Sequence, residues 1–338
     1  MASHRRTKPP ARARVSVLTA TAAAAVALSS QSAVAAPDRP TKDEVKAQVD
    51  ALYEEAERAG EQSNGARERQ EKLEKEIERL QDRVARDQGE LNDLRNALGS
   101  LATAQYRGGG LDPAVALLLS ADPGGYLDRA STLQRLSGRQ VEAVARIQAK
   151  QRALAQQRQE AAGKLADLDA TREELAAKKK TAQDRLNRAQ TLLNTLTARE
   201  RAQLKEDEAK EGRGAAPAAP VGASGRAGAA LAAAKTKLGS AYIMGATGPG
   251  AYDCSGLTQW AYGQAGVAIS RTTYTQANDG TRIGRDQLRP GDLVFFYDDL
   301  HHVGLYAGNN TTLHASNPRG GVKYESLDNM PFRFGVRI

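Results

Sequence analysis

From Val45 onward, apolar side chains recur at alternating intervals of four and three: Val45, Val49, Leu52, Ala56, Ala59, Ala66, Leu73, Ile77, Leu80, Val84, Leu91, Leu94 and Leu98. This is the a/d seam of a coiled coil, interrupted by the polar residues Ser63, Gln70 and Asp87. A second seam runs Val144, Ile147, Leu154, Ala161, Leu165, Leu168, Leu175, Ala182, Leu186, Ala189, Leu193, Leu196. Each covers roughly 50 residues, a rod of about 80 Å at ~1.5 Å per residue. Between them the pattern breaks at Gly108-Gly109-Gly110, Pro113 and Asp122-Pro123-Gly124-Gly125, residues that end helices. The spacing therefore predicts an antiparallel helical hairpin over 41–205, with a tip near 107–125. A small helix from Val115 to Leu119 is expected there, its leucines serving as a cap or as a partner-binding patch. Alanine and polar residues on the seam predict only modest hairpin stability.

The pattern changes twice more. Residues 206–226 are charged, then rich in Ala, Pro and Gly (Ala215-Ala216-Pro217-Ala218-Ala219-Pro220), the composition of a semi-extended linker. From 227 to 338 the segments are shorter. A helix is expected from Ala227 to Leu238, and a second one beginning at or near Cys254. Strand-length runs follow at Asp292–Tyr297, His302–Ala307 and Thr311–Ala315, punctuated by Pro290-Gly291 and Gly308-Asn309-Asn310. This order describes an α+β domain.

Composition alters the picture mainly at the N-terminus. Residues 1–35 hold a basic segment (Arg5, Arg6, Lys8, Arg12, Arg14), an apolar run from Val15 to Leu28 and the small-residue site Ala33-Val34-Ala35. These are the three parts of a secretory signal peptide, so the mature protein is expected to be secreted, in the cell wall or extracellular space. The chain has 48 basic and 40 acidic residues. Five of the basic ones and none of the acids fall in 1–35, which leaves 43 − 40, or +3, for the remainder. The basic pI thus belongs largely to the export segment. No basic stripe with interleaved aromatics is present, and a nucleic-acid partner is not expected.

Cys254 is the only cysteine, which excludes an internal disulfide and directs attention to a reactive thiol. Placed at a helix N-terminus, it would have its thiolate favoured by the helix dipole. Outside the export segment the histidines are His301, His302 and His314, all near Cys254 in sequence. A cysteine nucleophile needs a base, and the base needs a third group to orient it. Strand alternation puts His302, Gly304 and Tyr306 on one face, and an odd-numbered turn would set His314 directly opposite His302. Cys254, His302 and His314 then form the candidate catalytic triad, and His301 is expected to be an exposed strand-entry residue. One Cys and two His are also zinc-ligand types, but close Cys-x-x-Cys or His-x-x-x-His spacing is missing. No cofactor or metal is expected.

Asp253-Cys254-Ser255-Gly256-Leu257, Arg271-Thr272-Thr273, Pro290-Gly291-Asp292-Leu293-Val294-Phe295-Phe296, His302-Val303-Gly304-Leu305-Tyr306 and Leu313-His314-Ala315 together resemble an NlpC/P60 domain. Preceded by a coiled coil, the arrangement is similar to actinobacterial cell-wall hydrolases of the RipA/RipC type. The resemblance implies a papain-like fold and a cysteine peptidase that cuts the γ-D-glutamyl–diaminopimelate bond of peptidoglycan stem peptides. It assigns Cys254 as nucleophile, His302 as base, His314 as orienting residue, and Tyr242, Asp253 and Ser255 as substrate-binding residues. The family's aromatic and paired glycines after the tyrosine are replaced here by Ile243-Met244-Gly245-Ala246. A regulatory hairpin is expected to dock over the active site or onto a membrane activator of the FtsX type. The competing reading is a non-catalytic envelope scaffold that binds peptidoglycan and partner proteins, to which Cys254→Ala would make no difference.

Overall fold

In the computed structural model, described for residues 40–107, 123–216 and 225–338 and for the single positions 115 and 119, two long helices dominate the N-terminal part. Helix α1 spans Lys42–Arg107 and α2 spans Pro123–Thr195. They run antiparallel: Arg185 pairs with Glu55, Arg172 with Glu74, Lys164 with Glu76 and Lys150 with Asp87. Val45, Val49, Ala189 and Leu196 pack at one end, and Leu91, Ile147 and Leu154 further out. The hairpin follows from the apolar seam. The expected signal peptide and most of the tip helix lie outside the described residues.

Residues 206–215 depart from the linker expected there. They are the second half of helix α3 (Ala198–Ala215), which starts at a capping box in which Thr197 and Glu200 satisfy each other's end amides. Leu204 is buried against the base of the hairpin, and of the charged residues that suggested a linker, Glu206, Lys210 and Glu211 lie on the exposed face of this helix while Glu208 is buried.

The C-terminal part begins with α4 (Gly225–Lys235) and the two-residue strands β1 (Ala241–Tyr242) and β2 (Ala251–Tyr252). Helix α5 (Cys254–Gln264) and the single turn α6 (Thr273–Gln276) come next. A six-stranded sheet follows, formed by β3 (Thr281–Ile283), β4 (Leu293–Phe296), β5 (His302–Gly308), β6 (Thr311–Ala315), β7 (Val322–Ser326) and β8 (Phe332–Arg337). Its order is β3-β8-β4-β5-β6-β7, with every pairing antiparallel. Central strand β4 is buried on both faces. Leu293 and Phe295 join the core under α4 and α5, while Val294 and Phe296 pack with Leu327 on the other side.

The hairpin and this domain meet along three turns of α1. From Ala56 to Ala66 the helix is almost wholly buried, although Glu57, Glu61, Ser63 and Asn64 are polar. One face is the seam against α2, and the opposite face lies on the C-terminal domain. Small residues allow the close approach: a Cβ on Gly60 would fall 2.6 Å from the Met244 sulfur. The position that weakens the seam, Ser63, thus sits where the helix serves two neighbours.

Candidate active site

Asp253 is the N-cap of α5 and places Cys254 as the first residue of the helix. Its carboxylate accepts from the Gly256 amide at 2.6 Å and the Gly245 amide at 2.8 Å. Arg271 donates to both of its oxygens, at 3.1 and 2.6 Å. Asp253 therefore joins the helix start to the loop after β1. Gly256 is required for this packing, because a Cβ there would lie 2.2 Å from the Ala246 carbonyl oxygen.

His302 opens β5 and His314 lies on β6, and their rings meet edge to face with Nε2 of His302 2.6 Å from Nδ1 of His314. The register differs from the one expected. A bulge between Tyr306 and Gly308 sets Leu305 opposite Leu313, so Gly304, and not His302, is beside His314. The two histidines are diagonal neighbours. Gly304 is required opposite His314, because a Cβ there would lie 2.3 Å from Thr312 Oγ1 and 3.0 Å from the His314 Cβ. His314 is held in turn by Glu325 on β7 at 3.1 Å. Burial, with the neighbouring His302 charge, lowers the His314 pKa to about 4, so its ring is neutral and orients His302 by hydrogen bonding.

His301 is fully buried, contrary to its expected exposure. Its Nδ1 bonds Asp299, its ring stacks on Tyr297 with centroids 4.2 Å apart, and its carbonyl lies 3.8 Å from the Cys254 sulfur. Leu300 adopts a positive φ of 55° just before it. That turn carries the chain under the site, which strand alternation alone does not foresee.

Helix α1 supplies residues to the site that the sequence reading missed. Glu57 Oε1 lies 2.6 Å from His302 Nδ1. Glu61 Oε1 accepts from the Ser255 hydroxyl at 2.7 Å and is 3.9 Å from the Cys254 sulfur. Glu61 Oε2 accepts from the Thr273 amide at 2.9 Å. Asn64 donates to Asp253 at 3.0 Å. Asp50, Glu54, Glu57, Glu61 and Asn64 recur at intervals of four, three, four and three, so they form a polar stripe beside the apolar seam. This second periodicity was the available signal.

The stripe sets the protonation state. Cys254 is fully buried, and burial together with the charges of Glu57, Glu61 and Asp253 pushes its thiol well above the usual range. The helix-dipole preference for a thiolate is overruled in this conformation. Burial pulls the His302 pKa down, but the Glu57 charge and hydrogen bond outweigh it and the net shift is upward. The imidazolium is thereby paired with Glu57. Glu61 itself is pushed up to about 7, by burial first and the Asp253 charge second, against the Ser255 bond and the Arg271 charge. His302 and Cys254 lie together, each held by a hairpin carboxylate. Tyr242 is buried beside them, and burial raises its hydroxyl well above 10.

Comparison with known proteins finds relatives of the C-terminal part. The sequence profile of the NlpC/P60 family matches residues 239–334. A probable endopeptidase of Corynebacterium glutamicum is 50% identical over 124 residues, which are 37% of this chain and 58% of that protein. A probable endopeptidase of Mycobacterium tuberculosis is 38% identical over 109 residues, 32% of this chain and 28% of that one. The chain thus spans somewhat over half of the first relative's length and less of the second. Among solved structures, the NlpC/p60 domain of the peptidoglycan hydrolase SagA is 32% identical, covering 33% of this chain and 98% of that one, with a TM-score of 0.32.

Proposed function

The C-terminal part of this chain is an NlpC/P60 domain, and from that premise we propose that the protein is a secreted peptidoglycan D,L-endopeptidase cutting the γ-D-glutamyl–diaminopimelate bond. The observation that carries the reading is Cys254 at the start of α5, within 4.8 Å of a His302 whose far nitrogen bonds His314. Once Glu57 withdraws, His302 takes the Cys254 proton and the thiolate attacks the amide carbonyl. Amides at the start of α5 stabilise the oxyanion. The His302 imidazolium then protonates the leaving amine, and the neutral ring next activates water to hydrolyse the thioester. His314 carries no negative charge, so its part is to hold the ring of His302.

The conformation described is the closed one. Glu57 occupies the base, Glu61 fills the space beside the nucleophile, and no stem peptide enters while α1 lies there. Release of α1 is the regulated step, and a membrane activator of the FtsX type is the partner class proposed for it. Export through the signal at 1–35 places the enzyme where its substrate is.

The test is mass spectrometry of defined muropeptides incubated with full-length protein. It compares the wild type, a released Glu57→Ala/Glu61→Ala variant, and the same variant carrying Cys254→Ala. Cleavage at the γ-D-glutamyl bond, faster in the released variant than in wild type and lost with Cys254→Ala, supports the reading. Equal products with and without Cys254, or no cleavage by any form, would sink it in favour of a binding scaffold.

A further inference from the structure

We propose that the closed protein binds one zinc ion between Glu57 of the hairpin and Cys254 and His302 of the C-terminal domain, and that the ion locks the hairpin over the active site. A carboxylate oxygen of Glu57, the sulfur of Cys254 and a ring nitrogen of His302 all lie within 4.8 Å of one another, and all three residues are buried. Oxygen, sulfur and imidazole nitrogen are the donor types that a borderline-soft divalent cation prefers. Around zinc such donors stand roughly 3.5 Å apart, so the sulfur draws in while the Glu57 oxygen and His302 Nδ1, now 2.6 Å apart, separate to admit the ion.

Three further features fit a cation. Glu57, Glu61 and Asp253 converge on the sulfur, while Arg271 is already spent on both oxygens of Asp253. Once the thiol and imidazolium protons have left, the site holds more negative than positive charge. His302 has an outer partner in His314, bonded in turn to Glu325, the second layer that fixes a metal-bound imidazole. There is also an approach: a cavity of about 400 Å³ reaches Glu57 and His302, and its six carboxylates outnumber the cations Lys46, Arg319 and Lys323, an acidic excess that favours cations.

On binding, the thiol proton and the proton shared between Glu57 and His302 leave to solvent, and no electron is transferred. The fourth position falls to water. The ion is not a cofactor for peptide cleavage, since it holds the nucleophile and the base together with their inhibitor. Only the docked hairpin completes the ligand set. The inference does not depend on which bond the released enzyme cuts.

The experiment titrates full-length protein with zinc chloride against a competing chromophoric chelator, beside Glu57→Gln and Glu57→Asp. Hydrogen exchange of residues 50–64 is followed with and without zinc. The expected result is one zinc per wild-type chain, at least tenfold weaker binding in Glu57→Gln with partial recovery in Glu57→Asp, and slower exchange in 50–64 on adding zinc. Equal affinity in Glu57→Gln would mean ordinary capture by the thiol and imidazole and would overturn the proposal. So would no binding by the wild type at micromolar zinc, or exchange in 50–64 that zinc leaves unchanged. The exchange measurement needs only the wild type and stands even where a variant misfolds.

Discussion

Glu57 and Glu61 decide the state of the site. Hydrogen bonds to charged groups contribute roughly 1.5–3 kcal/mol each, and ~1.4 kcal/mol is tenfold in an equilibrium. Removing both carboxylates should raise the open population, and turnover at low occupancy of the open form, on the order of a hundredfold. Steady-state rates of Glu57→Ala/Glu61→Ala beside wild type check this, and equal rates would exclude the plug. The same glutamates carry a pH dependence. Docked, Glu61 titrates at about 7 among Asp253, Arg271 and Cys254; released, it returns toward the usual 4.5. A pKa raised by docking means that protons favour docking. The Glu61 contribution is complete below about 4.5 and is lost as pH rises through about 7. His302, raised by Glu57, works in the same direction. Turnover of the wild type should thus climb with pH between about 5 and 8 more steeply than that of Glu61→Gln, and parallel profiles would contradict it.

At the level of elements, α1 is a helix with two working faces. Its apolar seam holds α2, and its polar stripe holds the active site. Gly60 belongs to the second role, as its missing side chain is where Met244 packs. In the helix itself glycine costs about 1 kcal/mol against a good helix former. Gly60→Leu should therefore strengthen the isolated hairpin and push it off the domain. Higher peptidase activity with undiminished helical circular dichroism is the expected outcome. Unchanged activity would show that Met244 moves aside.

Across the whole molecule, the docked arrangement is fastened at Arg319, in the turn after β6. It donates to Glu208 of α3 at 2.5 Å and to Asp50 of α1 at 2.6 Å, with the side chain only 5% exposed. Arg58 to Asp299 and Tyr297 to Glu54 add contacts beyond Cys254 and His302. Breaking a buried pair by removing one partner costs about 3–5 kcal/mol. Arg319→Ala leaves Glu208 buried without its cation, so hydrogen exchange should quicken across residues 45–61. Exchange as slow as in wild type would place the fastening elsewhere.

Much of this protein is legible along the chain. The period of four and three gives the long helical hairpin, because only a helix keeps such positions on one side. A lone cysteine bracketed by Asp253 and Ser255, with two histidines one strand apart, points to thiol chemistry. Other features depend on long-range packing. The bulge that turns His302 and His314 into diagonal neighbours comes from the β5–β6 turn. The burial of His301 follows from the left-handed turn at Leu300. Pairing Glu57 with His302 joins residues 245 positions apart. An acidic side chain on an exposed helix and one plugging an active site have the same sequence pattern. Only the surface brought against them separates the two, since burial among three carboxylates, and not residue type, holds Cys254 as a neutral thiol.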